Sequence, residues 1–299
     1  MKKRGNYKFL GRFSWYVPGV GGMFALLAWL LAGAFIGSLI QLAVGAAMGP
    51  EAMAEYGTLV SYPIMFIPPM IYASVKSGAA SASRRGVKLD SNHFSPLGAV
   101  LCVILSIFGA ISVSFWSDGF TSLLPEMPKF LKDALEGLTS GKIWVNFLAV
   151  SIFAPFFEEW LCRGMVLRGL LNGTRIKPVW AIAISAAFFA LIHMNPWQAL
   201  PAFLMGCLFG YVYYRTGSLK LTMLMHFANN TMALVFGHID SLKDVESWTD
   251  LMPVPQYAAT AAACFLLTVL VVLAFRRIPI QKPAGNSDEL PSLFENDEI

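Results

Sequence analysis

The sequence predicts an all-α fold: a polytopic membrane helix bundle of about eight transmembrane helices with the N- and C-termini in the cytoplasm. Three observations predict it. Of the 299 residues, 56% are hydrophobic and only 13% are charged, about half the charged fraction of an ordinary soluble domain. The apolar residues fall in long blocks that match the ~17–25 residues a bilayer-spanning helix needs. Lysine and arginine are dense in alternate loops, as the positive-inside rule requires of a multi-pass chain.

The blocks lie at roughly 22–47, 58–75, 97–116, 143–164, 178–194, 197–214, 219–238 and 256–275. The first follows a basic start, Met1 to Arg12, and is too long for a signal-peptide core, so it reads as a retained span. The second is expected to be broken by Pro63, Pro68 and Pro69, because proline removes a helix hydrogen bond and clashes with the preceding turn. The fifth is short. With the N-terminus inside, the 22 basic residues all fall on the cytoplasmic side except Lys129, Lys132, Lys142 and Lys243, while Glu51, Glu55, Asp118, Asp240 and Asp250 collect on the other. Removing one span would reverse every later loop and destroy that asymmetry.

Between the third and fourth blocks, residues 128–138 carry Phe130, Leu131, Ala134, Leu135 and Leu138 on one helical face, which predicts a short helix on the outer surface. Gly33/Gly37 and Gly206/Gly210 have the small-xxx-small spacing that lets helices approach closely, within a monomer or between two. The four cysteines, Cys102, Cys162, Cys207 and Cys264, all sit in apolar blocks and imply no disulfide framework. The expected organisation is a cytoplasmic start over 1–20, membrane helices with the outer segment over 21–142, a helical core over 143–238, an outer loop and last span over 239–278, and a disordered cytoplasmic tail over 279–299. No glycine-rich phosphate loop and no basic patch with interleaved aromatics is present, so neither nucleotide nor nucleic acid is an expected partner.

The chemistry concentrates in Phe156-Phe157-Glu158-Glu159-Trp160-Leu161-Cys162-Arg163. A charge near the bilayer centre costs at least ~2.5–3.5 kcal/mol on insertion scales, so three charges within six residues need compensation and point to a site. Residues four apart share a helix face, which pairs Glu159 with Arg163; Glu158 points about 100° away, unpaired by its own helix. The spacing therefore assigns Glu159 and Arg163 to an internal brace and Glu158 to reactivity. Pro155 is placed to free a backbone carbonyl close by. Two of the four histidines, His193 and His226, lie inside apolar blocks; Phe189 stands one turn before His193, and Asn230 shares a face with His226. His93 and His238 sit at loop positions where solvated roles suffice.

A buried glutamate and a histidine can hold and deprotonate a water, and a second histidine with an asparagine amide can donate to a developing oxyanion. That combination is suited to amide hydrolysis within the membrane. Neither a Gly-x-Ser-x-Gly elbow nor a His-Glu-x-x-His helix competes with it. Two other classes use the same groups differently: a proton-coupled transporter with Glu158 and the histidines as its relay, and a non-enzymatic membrane scaffold or immunity protein. On the predicted bounds, Glu158 and His226 lie about 9–11 Å from the inner ends of their helices while His193 falls near an outer end. Helix five must then tilt, follow a re-entrant segment or end elsewhere.

Glu158-Glu159-x-x-x-Arg163, Phe189-x-x-x-His193 and His226-x-x-x-Asn230 resemble, in order, the three motifs of the CAAX prenyl endopeptidase and bacteriocin-processing (CPBP, or Abi) family of intramembrane proteases. The resemblance covers mainly residues 143–238. It implies that Glu158 and His193 activate the water, that His226 and Asn230 form the oxyanion site, and that Glu159, Arg163 and Phe189 support them. It implies a membrane-embedded or lipidated peptide or protein substrate and a multi-pass protein of the bacterial inner membrane, with a cavity expected to open towards the cytoplasmic half. Family members are called metalloproteases, and Glu158, His193 and His226 are the set that zinc or a similar divalent metal would use. The same groups serve a metal-free glutamate mechanism, in which Asn230 makes better sense as a donor than as a ligand.

Overall fold

The computed structural model describes residues 8–81, 86–132, 141–239, 242, 245 and 247–280. Among the described residues every regular element is helical. Among the described residues, eight longer helices make up the bundle: α1 (Val20–Met48), α2 (Pro50–Ser81), α3 (Ala99–Thr121), α4 (Ile143–Gly173), α5 (Pro178–Leu191), α6 (Pro196–Thr216), α7 (Leu219–Gly237) and α8 (Val254–Arg276). Each predicted block falls mainly on one of them, the fifth overrunning its helix by residues 192–194. α1, α2, α3, α4 and α8 are long and apolar enough to cross a membrane. α5 is apolar but only 14 residues long, about 21 Å of rise. α6 and α7 reach 21 and 19 residues without the same apolar density. Large apolar side chains such as Phe24, Phe35, Val100, Phe108, Leu266 and Leu270 are exposed on the outside of the bundle, the surface a lipid solvent requires. The chain is a multi-pass membrane protein.

The three prolines do not break α2, which runs unbroken through Pro63, Pro68 and Pro69. Without water to compete for freed carbonyls, a membrane helix keeps its path when neighbouring helices cover the gap. Pro69 leaves the Met65 carbonyl without its helical donor, and Gly33 of α1 lies against it: a Cβ added at Gly33 would stand 2.2 Å from that oxygen. Gly37 meets Ser61 in the same way, so this glycine pair packs α1 on α2 within the monomer. Gly206 and Gly210 likewise bring α6 against Ala186 and Ile182 of α5.

One end of the bundle gathers the basic segments. The buried Arg168 of α4 donates to the carbonyls of Ser14 (3.1 Å), Val87 (2.6 Å) and Tyr16 (2.6 Å), tying two peripheral segments to the helix end. Ser91 and His93 donate their backbone N–H groups to Gly217 (2.7 Å) and Thr216 (3.0 Å), at the α6–α7 turn. Arg215 reaches the carbonyl of Arg276 at 2.6 Å, which fixes the end of α8 there. At the opposite end Asp118 accepts from Ser247 at 2.8 Å, Lys142 pairs with Glu55 at 2.6 Å, and the Trp197 indole donates to the Pro125 carbonyl at 2.8 Å. Of the expected surface helix over 128–138, residues 133–138 lie outside the described residues, as does the tail from 281 onward.

Candidate active site

α4 positions the carboxylates, and its backbone is not a plain α-helix. Phe147–Phe153 and Trp160–Leu167 are wound with wider π-helical turns, a form that favours functional sites because it re-aims side chains and loosens the backbone ladder. In the first of these the Ala154 N–H reaches back five residues to Ala149. The next donor in that register would be residue 155, which is proline, so the Val150 carbonyl is left for another partner. Asn230 Nδ2 of α7 takes it at 2.9 Å.

Glu159 and Arg163 form the expected brace. Their side chains are fully buried and Arg163 Nη1 donates to Glu159 Oε1 at 2.9 Å. Arg163 Nη2 also donates to the Gly206 carbonyl at 3.1 Å, and its guanidinium lies 4.6 Å above the Phe189 ring. Glu159 Oε1 accepts a second bond, from His226 Nδ1 at 3.1 Å. The brace therefore extends beyond its own helix and orients the α7 histidine. His226 Nε2 stands 3.9 Å from Glu158 Oε2, too far for a hydrogen bond. That oxygen has no hydrogen-bond partner among the described residues.

The other Glu158 oxygen accepts a hydrogen bond from the Tyr62 hydroxyl of α2. Sequence reasoning missed Tyr62. A lone tyrosine in an apolar helix ordinarily reads as packing or interface, and nothing in its local pattern ties it to a residue almost a hundred positions away. Phe66, one turn further along α2, stacks on Phe157 with ring centroids 5.0 Å apart and holds the two helices in register.

His193 is not on a helix. α5 ends at Leu191, and His193 follows in the tight turn to α6, where Met194 takes the left-handed conformation at φ 55° and Asn195 caps α6 by accepting from Gln198 N. This resolves the depth conflict. α5 is too short to carry His193 to the far surface, and α4 continues to Gly173, so Glu158 lies midway along its helix. His193 Nδ1 lies 2.8 Å from the Phe189 carbonyl; since that oxygen only accepts, Nδ1 carries a proton, and in the neutral tautomer Nε2 is then the acceptor. Phe189 packs edge-on against both His193 (5.0 Å) and His226 (5.5 Å).

Glu158, His193, His226 and Asn230 all line one cavity of about 700 Å³, with Tyr62 and Phe189 in its wall. The cavity was expected to open towards the cytoplasmic half. Gly141, Trp197 and His238 line it, and no described residue of the basic end does. His238 is thus at its rim. Cys162 is fully buried and lies outside the cavity. Among the described residues no three His, Cys, Asp or Glu side chains are grouped as a metal would need. Glu158, His193 and His226, the set the resemblance implied for a metal, do not form such a group in this arrangement.

Fold and site together define a multi-pass membrane protein with a carboxylate–histidine centre enclosed in its bundle. Residues 140–232 match the family described as type II CAAX prenyl endopeptidase Rce1-like. Over 104 residues the chain is 31% identical to the membrane-embedded CAAX protease MroQ of Staphylococcus aureus (strain USA300), a stretch covering 33% of this chain and 42% of that protein. The resemblance read from the three motifs is thereby shown for this segment, while the chain matches less than half the length of the curated relative. No solved structure matches the chain.

Proposed function

We propose that the protein is an intramembrane endopeptidase that hydrolyses a peptide bond with a water activated by Glu158 and His193. The observation that carries this reading is the convergence of Glu158, His193, His226 and Asn230 from two helices and one turn on a single cavity, with Glu159 withdrawn into the brace. Glu158, ionised and steadied by Tyr62, removes a proton from a water that also donates to His193 Nε2. The hydroxide attacks the carbonyl carbon, and the electron pair moves to its oxygen. With His226 doubly protonated, its Nε2–H and the second Asn230 amide hydrogen stabilise that oxyanion. The C–N bond then breaks, and the proton held by Glu158 passes to the leaving amine. No step runs through a metal.

The substrate is a membrane-embedded or membrane-associated peptide segment. Quantitative comparison of peptide termini in cells carrying wild-type protein or Glu158→Gln tests the proposal. A terminus that disappears with Glu158→Gln and returns with wild type is expected; an unchanged set of termini, with the variant folded and present in the membrane, removes the hydrolase reading. The transporter alternative predicts instead that Glu158→Gln abolishes a substrate or ion flux and alters no terminus.

A further inference from the structure

The residues that line the cavity belong to one half of the bundle. It runs from Glu158 past Val150 and Ala233 to Gly141 and His238. The helix ends and loops on the side of this mouth carry Glu51, Glu55, Asp118 and Asp250 beside the lysines Lys129, Lys132 and Lys142, the last paired with Glu55, whereas Arg168, Arg175, Lys177, Arg215 and Lys220 stand at the other end. A bilayer retains the lysine- and arginine-rich end of a multi-pass protein in the cytoplasm. The two facts are independent: one is where α4, α5 and α7 leave space, the other where the chain spends its basic residues.

Together they conflict with a site that serves the cytoplasm. We propose that the cavity opens on the extracytoplasmic side of the membrane and takes an apolar peptide segment that reaches it from that side, such as the outward end of a membrane-inserted segment. A lipidated C-terminus presented from the cytoplasm does not reach Glu158 without crossing the closed half of the bundle. There, Trp160, Leu161, Met165, Val166 and Leu167 of α4 are fully buried and Arg168 seals the helix end to the N-terminal segment. The fate of the segment, cleavage, rests on the hydrolase reading; the sidedness does not.

Thiol labelling in intact cells tests it. Ala233→Cys places a thiol in the cavity wall and His238→Cys one at the rim, while Ser81→Cys places one at the basic end; all three positions are exposed. Wild-type protein, whose four cysteines lie in apolar helices, is the blank. A membrane-impermeant maleimide is expected to modify Ala233→Cys and His238→Cys in intact cells, and Ser81→Cys only after the membrane is opened. The reverse pattern overturns the proposal. So does a cavity pair that resists the reagent from both sides while Ser81→Cys reacts. The readout needs no turnover, so correct labelling without any Glu158-dependent terminus would defeat the hydrolase reading and leave the sidedness standing.

Discussion

Glu158 and Glu159 are adjacent and chemically identical, yet Glu159 is fully buried, Glu158 is partly exposed, and their partners differ completely. Glu159 meets a guanidinium and an imidazole on one oxygen, and Glu158 meets a single tyrosine hydroxyl and open space. The α-helical step between neighbours is the cause, since it turns one carboxylate into the bundle and the other towards the cavity. Substituting the free one should remove chemistry and spare the fold: Glu158→Gln is expected to lower the cleavage rate ~10²–10⁴-fold with helix content unchanged by circular dichroism. Tyr62→Phe tests whether the α2 hydroxyl serves the base. A hydrogen bond to a charged group contributes ~1.5–3 kcal/mol, so turnover should fall about tenfold or more with little change in the apparent affinity for substrate; unchanged turnover would reduce Tyr62 to packing.

For the helices, the decisive contacts are those made where a side chain is missing or a charge is enclosed. α1 and α2 depend on Gly33 lying on the Met65 carbonyl that Pro69 leaves free. Gly33→Val forces those backbones apart and is expected to destabilise the pair by ~1–3 kcal/mol, an overpacking cost, read as a lower midpoint in thermal unfolding of the detergent-solubilised protein. The brace between α4 and α7 is more sensitive. Removing one partner of a buried ion pair strands the other, at ~3–5 kcal/mol, so Arg163→Ala should lower stability sharply and also release His226 from its bond to Glu159. Arg163→Lys, which keeps the charge but lacks the planar fork that reaches both Glu159 and Gly206, is expected to rescue only part of the loss.

Across the entire bundle the two ends have separate duties. At the basic end, Arg168 joins the N-terminal segment, the segment through Val87 and α4 by carbonyl contacts that no neutral side chain reproduces. Arg168→Leu leaves those buried carbonyls without a donor, at ~1–3 kcal/mol each at most. It is expected to make the N-terminal segment cleavable by added protease in open membranes while the Glu158 cavity at the other end keeps its thiol-labelling pattern. Loss of both together would mean that the ends are not independent. The closed basic half and the cavity-bearing half also account for the length of α4, which passes through both.

How much of this was legible before folding follows from which interactions are local. Hydrophobic blocks announced the helices because burial in lipid is decided segment by segment, and i,i+4 spacing announced the Glu159–Arg163 pair, the Phe189–His193 contact and the shared face of His226 and Asn230. Helix ends were less legible. α4 extends nine residues past its predicted limit at 164, to Gly173, because Arg168 finds carbonyl partners that only the folded chain supplies. α2 keeps its prolines for the same kind of reason. The hydroxyl that meets Glu158, the second partner of Glu159 and the half of the bundle that lines the cavity are all long-range facts. They depend on how α2, α5 and α7 pack around π-wound turns of α4, and no periodicity along the chain encodes a distance between helices.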